Sequence, residues 1–262
     1  MVTTRQPIPH VDPTGHERKR IKASAVGLTE FSTAGEPRYE DAEGLEYSNF
    51  WFQRDTQPLW GKLDRAGIWP PKHCKRYLEI GVCEGASLFW FLNHAPQLHY
   101  ALAVDPYVAP RRHKQENYDK HLRTYKRNYA RWRAIQCAQL ETGQPHSTAT
   151  VDQWKTTSQQ ALVSLLHSID VAATTELAAS RYFQAVYIDG AHDGPTAQWD
   201  IVASWQALEV GGVMIVDDIH RRWHLGRPWV KEAVDGFLLA HEKQSETIYR
   251  GERQIVLRKL LV

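Results

Sequence analysis

Five short β-rich runs, each followed by a helical pattern, limit the folds open to this 262-residue chain. The fourth and fifth runs are wholly apolar, as in strands buried on both faces of a parallel sheet. The runs, with two more strands after the last helix, are RYLEI (76–80), YALAV (100–104), STATVDQ (147–153), AVYI (185–188), VMIV (213–216), ETIY (246–249) and QIVLRKL (254–260). This order predicts an α/β fold with a doubly wound, mostly parallel sheet of seven strands, helices on both faces and an antiparallel C-terminal hairpin.

The helical patterns between the strands differ in strength. They predict helices from about residue 86, over 113–139, over 158–168 with a weaker extension to 179, over 195–208 and over 229–242. Pro195 suits the first turn of its helix, and the glycines at 211 and 212 are expected to end that helix.

The N-terminal quarter of the chain is expected to fold apart from the sheet. Residues 1–42 are polar, contain proline and glycine and lack a period, which predicts a flexible N-terminal arm. Residues 43–74 are predicted to form a helical preface or lid, interrupted at Pro58 and ended by GIWPP (67–71). The sheet domain is then expected to occupy residues 75–262.

Composition excludes several classes of protein. No uninterrupted apolar run approaches the roughly 20 residues needed to span a bilayer, and the N-terminus lacks the apolar stretch of a secretory signal, so we expect a cytoplasmic protein. The three cysteines show no CxxC spacing, which argues against a disulfide framework or a cysteine-rich zinc site. The formal net charge of +2 indicates no general affinity for nucleic acid.

The ends of the first two strands carry residues suited to a nucleoside cofactor. Ligands of such sheets bind at the carboxyl ends of the strands. There Glu79 could accept hydrogen bonds from an ammonium group, Gly81 and Gly85 let backbone amides approach a ligand, and Ser87 follows in the next helical turn. Asp105, at the end of the second strand, is placed to accept hydrogen bonds from ribose hydroxyls. A plain strand-to-helix turn at the glycines and a turn cap at Asp105 remain open alternatives.

Three aspartates at the ends of the fourth and fifth strands predict a metal site. Asp189 lies in YIDGAHD, and Asp217 and Asp218 lie in VDDIH. Because neighbouring parallel strands end at one edge of the sheet, these carboxylates should converge, and a divalent cation such as Mg2+ would relieve their repulsion. His192 lies within reach of the same ion and can take up a proton near neutral pH. Turn and capping roles for these residues also remain open.

The strand-end segments resemble class I S-adenosylmethionine-dependent methyltransferases. YLEIGVCEGAS resembles the cofactor loop of that family, AVDPY its ribose-binding segment, and AVYIDGAHD with ALEVGGVMIVDD its fourth and fifth strands. The resemblance extends from about Arg76 to Val262 and implies a Rossmann-like fold. The last two segments are similar to metal-dependent O-methyltransferases that act on sugars in natural products, macrolide sugars among them.

This resemblance implies a role for each strand-end residue. The metal ligands would be Asp189, Asp217 and Asp218, with His192 as the general base. The cofactor contacts would come from Glu79, Gly81, Gly85 and Ser87 at the methionine part, Asp105 at the ribose and Ser158 at the adenine. Cys83 departs from the family pattern, in which many members have a glycine at this position, and leaves the path of the loop open.

The implied function is methyl transfer from S-adenosylmethionine to a hydroxyl group of a small-molecule acceptor. A vicinal diol, as in sugars, or a catechol would suit chelation by Mg2+ or another divalent cation. The sequence determines neither the acceptor nor the number of subunits, and a homo-oligomer stays open.

Functions of other classes also stay open. Residues 111–133 carry nine Lys or Arg against two acidic residues, so this helix could bind RNA for an RNA methyltransferase or form a solvated surface. A non-catalytic cofactor-binding protein would keep the fold but would not need converging carboxylates. His220 and His224 would form a transition-metal site only on a helix, which the preceding aspartates do not indicate.

Overall fold

The computed structural model describes residues 29–33, 36–41, 43–110, 113–144, 146–172, 183–222 and 226–261. The first elements are three short strands, β1 (Thr29–Thr33), β2 (Glu36–Glu40) and β3 (Glu46–Tyr47), which form a small antiparallel sheet. The first two of these strands lie in the section predicted to be a flexible arm, of which residues 1–28 lie outside the described part. The division into arm, preface and sheet domain stays a prediction.

The helical segment after β3 is not interrupted at Pro58. A π-helical turn, Phe52–Thr56, continues directly into helix α1 (Gln57–Arg65). Pro58 stands in the first turn of α1, where the fixed φ of proline suits the helix. The winding therefore changes from π to α next to the proline, and no break occurs.

Seven strands form the main sheet, which confirms the predicted fold class. The strands of this sheet are β4 (Arg76–Ile80), β5 (Tyr100–Val104), β6 (Thr150–Trp154), β7 (Phe183–Ile188), β8 (Leu208–Val216), β9 (Ser245–Arg250) and β10 (Ile255–Lys259). Their order is β6-β5-β4-β7-β8-β10-β9; strands β4 to β8 are parallel, and β10 is antiparallel to both of its neighbours. The strand order reverses between β4 and β7, which is where sheets of this type bind ligands.

Helices cover both faces of this sheet. They are α2 (Ala86–His94), α3 (Gln115–Glu141), α4 (Ser158–Ala172), α5 (Gly194–Ala207) and α6 (Trp229–Ala240). Neighbouring strand residues point to opposite faces: Tyr77 packs in a core with residues of α1, α2 and α3, whereas Leu78 packs in a second core with residues of α4, α5 and α6. Within the described ranges, no helix combines the length and the apolar character needed to cross a membrane.

Glycines 211 and 212 do not end helix α5, contrary to the expectation from the sequence. The helix ends at Ala207, Leu208 is already extended, and both glycines lie within β8, where its register to β7 shifts. The buried ammonium group of Lys259 donates to the carbonyl oxygens of Trp205 and Leu208 at 2.9 and 2.7 Å. Lys259 of β10 thus supplies hydrogen bonds to the carbonyl groups at the end of this helix, which the sequence had led us to expect a glycine to terminate.

Candidate active site

A large cleft opens at the carboxyl ends of β4, β5, β7 and β8. Its volume is about 1870 Å3, above the roughly 300–1,000 Å3 of a typical single-ligand pocket. Among the predicted site residues, those that line this cleft are Gly81, Ser87, Asp105, Ser158, Asp189, His192, Asp217 and Asp218. The cleft therefore has room for a nucleoside cofactor and an acceptor side by side.

Gly81 allows the ends of β4 and β7 to approach each other closely. Its φ is +90°, and a Cβ atom at this position would lie 2.0 Å from the carbonyl oxygen of Asp189. No side chain fits into such a distance, so glycine is required here by the strand packing itself. The same approach brings the predicted cofactor loop next to the predicted metal site.

Glu79 lies behind the surface of the cleft. Its carboxylate is completely buried and accepts hydrogen bonds from the hydroxyl groups of Tyr77 and Ser87. Burial raises the pKa of Glu79 to about 8, although both hydroxyl groups oppose this rise. Since Ser87 lines the cleft and Glu79 does not, the geometry would connect Glu79 to a ligand through the serine hydroxyl.

At Cys83 the loop after β4 has a backbone conformation of the kind that glycine usually adopts. Cys83 has a left-handed backbone with φ of +50°, a conformation that glycine adopts more easily than cysteine. Gly85 also has a positive φ, and a Cβ there would lie 2.4 Å from the ring of Phe89. Helix packing thus explains Gly85, which like Glu79 is not among the residues that line the cleft.

Asp105 fixes the loop and also faces the cleft. One carboxylate oxygen accepts from the Cys83 N–H at 2.9 Å, and the other accepts from the Tyr107 N–H at 2.7 Å. The second contact is the turn cap that the sequence left open, and burial raises the pKa of the carboxyl group. A carboxylate can accept more hydrogen bonds than these, so capping and ribose binding are compatible.

Ser158 begins helix α4 at the opposite wall of the cleft. Beneath it lies Asp200 of α5, whose side chain is completely buried. Burial raises the pKa of Asp200 to about 7, and the Ser158 hydroxyl opposes this rise. A Cβ at Gly190 would lie 3.3 Å from the same carboxylate. Sequence reasoning missed Asp200, because nothing in the pattern of α5 separates a buried aspartate from a surface one.

Asp189, His192 and Asp218 converge at the ends of β7 and β8. The His192 Nε2 atom lies 3.1 Å from an oxygen of Asp218 and 3.6 Å from an oxygen of Asp189. One potential ligand atom from each of the three residues lies within 4.8 Å of the others. The described residues thus bring together two of the three predicted carboxylates and the predicted histidine.

Asp217 differs from the expected geometry because its carboxylate is not one of the groups that make up this cluster, although the Tyr187 hydroxyl contacts both Asp217 and Asp189. One oxygen of Asp217 accepts hydrogen bonds from Tyr187 (2.6 Å), Gln254 (2.7 Å) and Thr56 (3.1 Å). The other oxygen accepts from the backbone N–H of Asp218 at 2.6 Å. Asp217 is therefore a buried hydrogen-bond centre that joins β7, β10 and the N-terminal helical segment.

Two arginines that the sequence did not indicate contact Asp218. Arg221 donates to one carboxylate oxygen at 2.8 Å and Arg253 to the other at 2.7 Å. Arg253 also donates to Asp55 at 2.9 Å. Strand β10 runs antiparallel to β8, which places the turn before β10 beside the carboxyl end of β8; the sequence predicts the antiparallel hairpin but not this neighbour.

The charges of this cluster act on one another. Burial opposes the charge on His192, but hydrogen bonds and the negative charges of Asp189 and Asp218 outweigh burial and raise the pKa of His192 to about 9. Burial also acts against the charge of Asp218, yet His192 and the two arginines hold the pKa of this carboxyl group below its usual value. For Asp189, burial and the negative charge of Asp217 raise the pKa.

Glu84 connects the predicted cofactor loop to two other parts of the chain. Its buried carboxylate accepts from the backbone N–H of Ser48 at 2.7 Å, from the Ser48 hydroxyl, and contacts the His121 ring at 2.9 Å. Asn128 adds hydrogen bonds to the Glu84 carbonyl and to both backbone groups of Glu46. The loop, the segment after β3 and helix α3 are thus held together at one buried carboxylate.

The basic helix α3 uses part of its charge inside the molecule. Arg127 lies 3.5 Å from a carboxylate oxygen of Glu46, and Arg131 lies 3.7 Å from oxygens of Glu40 and Glu46. These pairs hold the small N-terminal sheet against the helix. The predicted basic stretch begins at residues 111 and 112, which lie outside the described part, as does His224 of the alternative histidine site.

Comparisons with solved structures give low-identity similarities. An O-methyltransferase from Bacillus cereus, solved in complex with SAH, is 16% identical over 78% of this chain and 81% of its own, with a TM-score of 0.46. The cofactor-bound Rv0187 from MTB is 15% identical over 90% and 85%, with a TM-score of 0.45. The O-methyltransferase TomG from Streptomyces achromogenes, involved in tomaymycin synthesis and solved with SAM, is 14% identical over 78% and 80%, with a TM-score of 0.43. At these identities and scores the similarities assign no role to any residue of this chain.

A family model identifies the chain more directly. A search of curated protein sequences gives no significant match. The model of a methyltransferase domain, however, matches residues 78–219, from the first strand of the main sheet to just beyond the paired aspartates. Because this match spans more than half of the chain, the protein belongs to the methyltransferase-domain family, which confirms the enzyme class that the resemblance to class I S-adenosylmethionine-dependent methyltransferases implied.

Proposed function

We propose that this protein is an S-adenosylmethionine-dependent O-methyltransferase that uses a divalent cation and acts on a hydroxyl group of a small molecule in the cytoplasm. The observation that carries the proposal is the convergence of Asp189, His192 and Asp218 beside the cofactor loop. A vicinal diol of a sugar, or a catechol, is the acceptor class that such a site would suit, because two adjacent oxygens can bind one cation.

The cofactor would bind across the ends of β4 and β5. Gly81 leaves room for the methionine part, the Ser87 hydroxyl faces the cleft, and the Asp105 carboxylate would accept hydrogen bonds from the ribose. Ser158 would lie near the adenine, on the far wall. Glu79 would act indirectly, by holding Ser87. This arrangement would direct the methyl group toward the ends of β7 and β8.

The donor set at the ends of β7 and β8 fits a divalent cation. Asp189 and Asp218 supply carboxylate oxygens, the ligands that Mg2+ prefers, and the His192 ring lies beside these oxygens, where we assign it the role of base and not that of ligand. When bound, the ion would lower the pKa of an acceptor hydroxyl group. Asp217, the third predicted ligand, would position Asp218 and Tyr187 instead, since its oxygens are used in hydrogen bonds.

His192 is the proposed general base. It lines the cleft beside both carboxylates, so its ring can reach a hydroxyl group held at this edge of the sheet. Two adjacent carboxylates hold the ring in place and raise its pKa in the metal-free protein; a bound ion that neutralised these carboxylates would lower this pKa and leave the ring able to accept the proton. The acceptor oxygen would then attack the sulfonium methyl group in line, with orientation supplying much of the acceleration.

Methyl transfer to a panel of sugar diols and catechols tests this proposal. The assay is run with labelled S-adenosylmethionine, with and without an excess of chelator, and we expect transfer that stops with chelator and returns with Mg2+ or Mn2+. Undiminished turnover in chelator would contradict the metal requirement and leave the transferase class intact. Cofactor binding in equilibrium dialysis without transfer to any acceptor would instead favour the non-catalytic cofactor-binding protein.

A methyltransferase acting on RNA is the competing candidate, and its support is the basic helix α3. Two of its arginines, Arg127 and Arg131, hold Glu40 and Glu46 of the small sheet, which reduces the charge available to a phosphate backbone. We therefore favour the small-molecule acceptor. Steeply salt-dependent RNA binding, followed by methyl transfer to that RNA, would reverse this preference.

A further inference from the structure

Arg253 occupies a position at which a cation would be expected. Its guanidinium group lies among three carboxylates, with hydrogen bonds to Asp218 and Asp55 and its Nε atom 3.9 Å from an oxygen of Asp217. Arg221 approaches Asp218 from the other side and donates to the second carboxylate oxygen. Each oxygen of Asp218 thus carries an arginine hydrogen bond.

These contacts have a direct consequence for the ion at this site. A divalent cation that binds Asp218 must share a carboxylate oxygen with a guanidinium group or displace it. Even with the dielectric constant of water, the repulsion between a doubly charged ion and a guanidinium group roughly 4 Å away corresponds to about a tenfold change in affinity or more. The arginines therefore weaken the binding of the ion. When no ion is bound, they stabilise the charged carboxylate of Asp218.

We propose that Arg253 and Arg221 are positioning residues that serve as built-in counter-cations of Asp218 and set the affinity of the site for its divalent cation. This inference rests on the proposed function, because it requires that Asp218 is a metal ligand. In the metal-free protein the two arginines hold Asp218 at the end of β8 and offset part of the repulsion between the aspartates. The ion then binds by competition with them.

Arg253 also connects this competition to the N-terminal segment. The second partner of Arg253 is Asp55, which lies in the π-helical turn before α1. The next residue in this turn, Thr56, donates a hydrogen bond to Asp217. The ion competes only with the hydrogen bond between Arg253 and Asp218. The hydrogen bond between Arg253 and Asp55 should therefore persist when the ion is bound. The Arg253 side chain is 40% exposed and lines the cleft, so the end released from Asp218 would face the cleft.

Binding of Mn2+ to the whole protein tests the inference without an activity assay. We compare Arg253→Gln, Arg221→Gln and the wild type by following the electron paramagnetic resonance signal of free Mn2+. Both variants should bind Mn2+ about tenfold more tightly or better. Arg258→Gln is the matched control: Arg258 lies in β10, is similarly exposed and pairs with Glu246, away from the aspartates, so its affinity should equal that of the wild type.

The direction of the change separates this role from a structural one. An arginine needed only for folding would, when removed, loosen the site and weaken Mn2+ binding. Unchanged or weaker binding in both variants, with Mn2+ bound by the wild type, overturns the inference and leaves the proposed function standing. Absence of Mn2+ binding in the wild type and in both variants overturns the metal part of the proposed function and the inference with it.

Thermal melting provides a second test of the inference if a variant is less stable than the wild type. Without metal, Arg253→Gln and Arg221→Gln should melt at a lower temperature than the wild type, because Asp218 loses a counter-charge. Added Mn2+ should then raise the melting temperature of either variant by more than it raises that of the wild type. An equal or smaller rise in both variants would contradict the proposed competition.

Discussion

Gly81 faces the carbonyl oxygen of Asp189 so closely that a Cβ at position 81 would lie 2.0 Å from that oxygen. The ends of β4 and β7 are therefore in backbone contact. Because the proposed cofactor site and the proposed metal site both border this contact, a change at Gly81 should act on both sites together.

Replacing Gly81 by alanine should disrupt this contact. The new Cβ requires a backbone shift of β4 or β7, and the positive φ adds strain, so we expect a loss of about 3 kcal/mol or more in the free energy of unfolding. Urea unfolding measures the loss. Gly143→Ala is the control, since Gly143 also has a positive φ but nothing lies within 4 Å of its Cβ position; there we expect about 1 kcal/mol. Equal losses in the two variants would show that only the strain matters.

Removing the charge of Glu84 should release the segment after β3 from the cofactor loop. The carboxylate accepts two hydrogen bonds from Ser48 and is buried, so Glu84→Gln should cost about 1–3 kcal/mol of stability and weaken S-adenosylmethionine binding. A double-mutant cycle with Ser48→Ala isolates the hydroxyl part of the contact, since the backbone N–H of residue 48 remains, and we expect a coupling energy of about 1 kcal/mol. The exposed Glu242→Gln should change neither quantity. Additive effects in the cycle would contradict a contribution of the Ser48 hydroxyl to the link.

Asp200 should make stability depend on pH. Burial raises its pKa to about 7 in the folded protein, above the usual value for aspartate in the unfolded chain. A raised pKa stabilises the folded state below the unfolded value and loses this contribution as the pH rises through the folded value. The wild type should therefore lose roughly 2 kcal/mol relative to Asp200→Asn between pH 5.5 and pH 8.

Urea unfolding at the two pH values measures this difference. Asp235→Asn is the control: slight burial opposes its charge, but Lys231 and Arg250 lower its pKa, so its contribution changes only below pH 5.5. The difference between Asp235→Asn and the wild type should then be the same at both values. A constant difference for Asp200→Asn as well would mean that Asp200 titrates normally.

The sequence predicted the sheet and the edge of the sheet at which the site lies, because both follow from the order of apolar runs and helices. It placed Asp189, His192 and Asp218 together for the same reason. It did not separate Asp217 from Asp218, since adjacent residues share one strand end and only the surrounding partners decide their directions. Lys259 as a helix cap and Arg253 beside Asp218 depend on the antiparallel β10, whose neighbours can be assigned only once the strand order is known.

Asp217 and Asp218 should respond differently to the same substitution. Asp218→Asn removes a proposed ligand charge and should weaken Mn2+ binding about a hundredfold. Asp217→Asn should change Mn2+ affinity at least tenfold less, but it alters a buried hydrogen-bond centre and should cost about 1–3 kcal/mol of stability. Mn2+ titration and urea unfolding of both variants test this pair. A larger loss of Mn2+ affinity in Asp217→Asn would return the ligand role to Asp217.

His192 either accepts the proton of the acceptor or binds the cation, and one variant separates these roles. As a general base, its loss in His192→Gln should lower kcat about 100- to 10,000-fold while Mn2+ affinity stays within a few-fold of the wild type. As a ligand, its loss should weaken Mn2+ binding at least as much as it lowers kcat. Both quantities are measured on the same preparation, with an acceptor found in the diol panel. His220→Gln is the matched control, because His220 lines the same cleft but lies outside the three-residue cluster. Full activity in His192→Gln would contradict the assignment of His192 as the base.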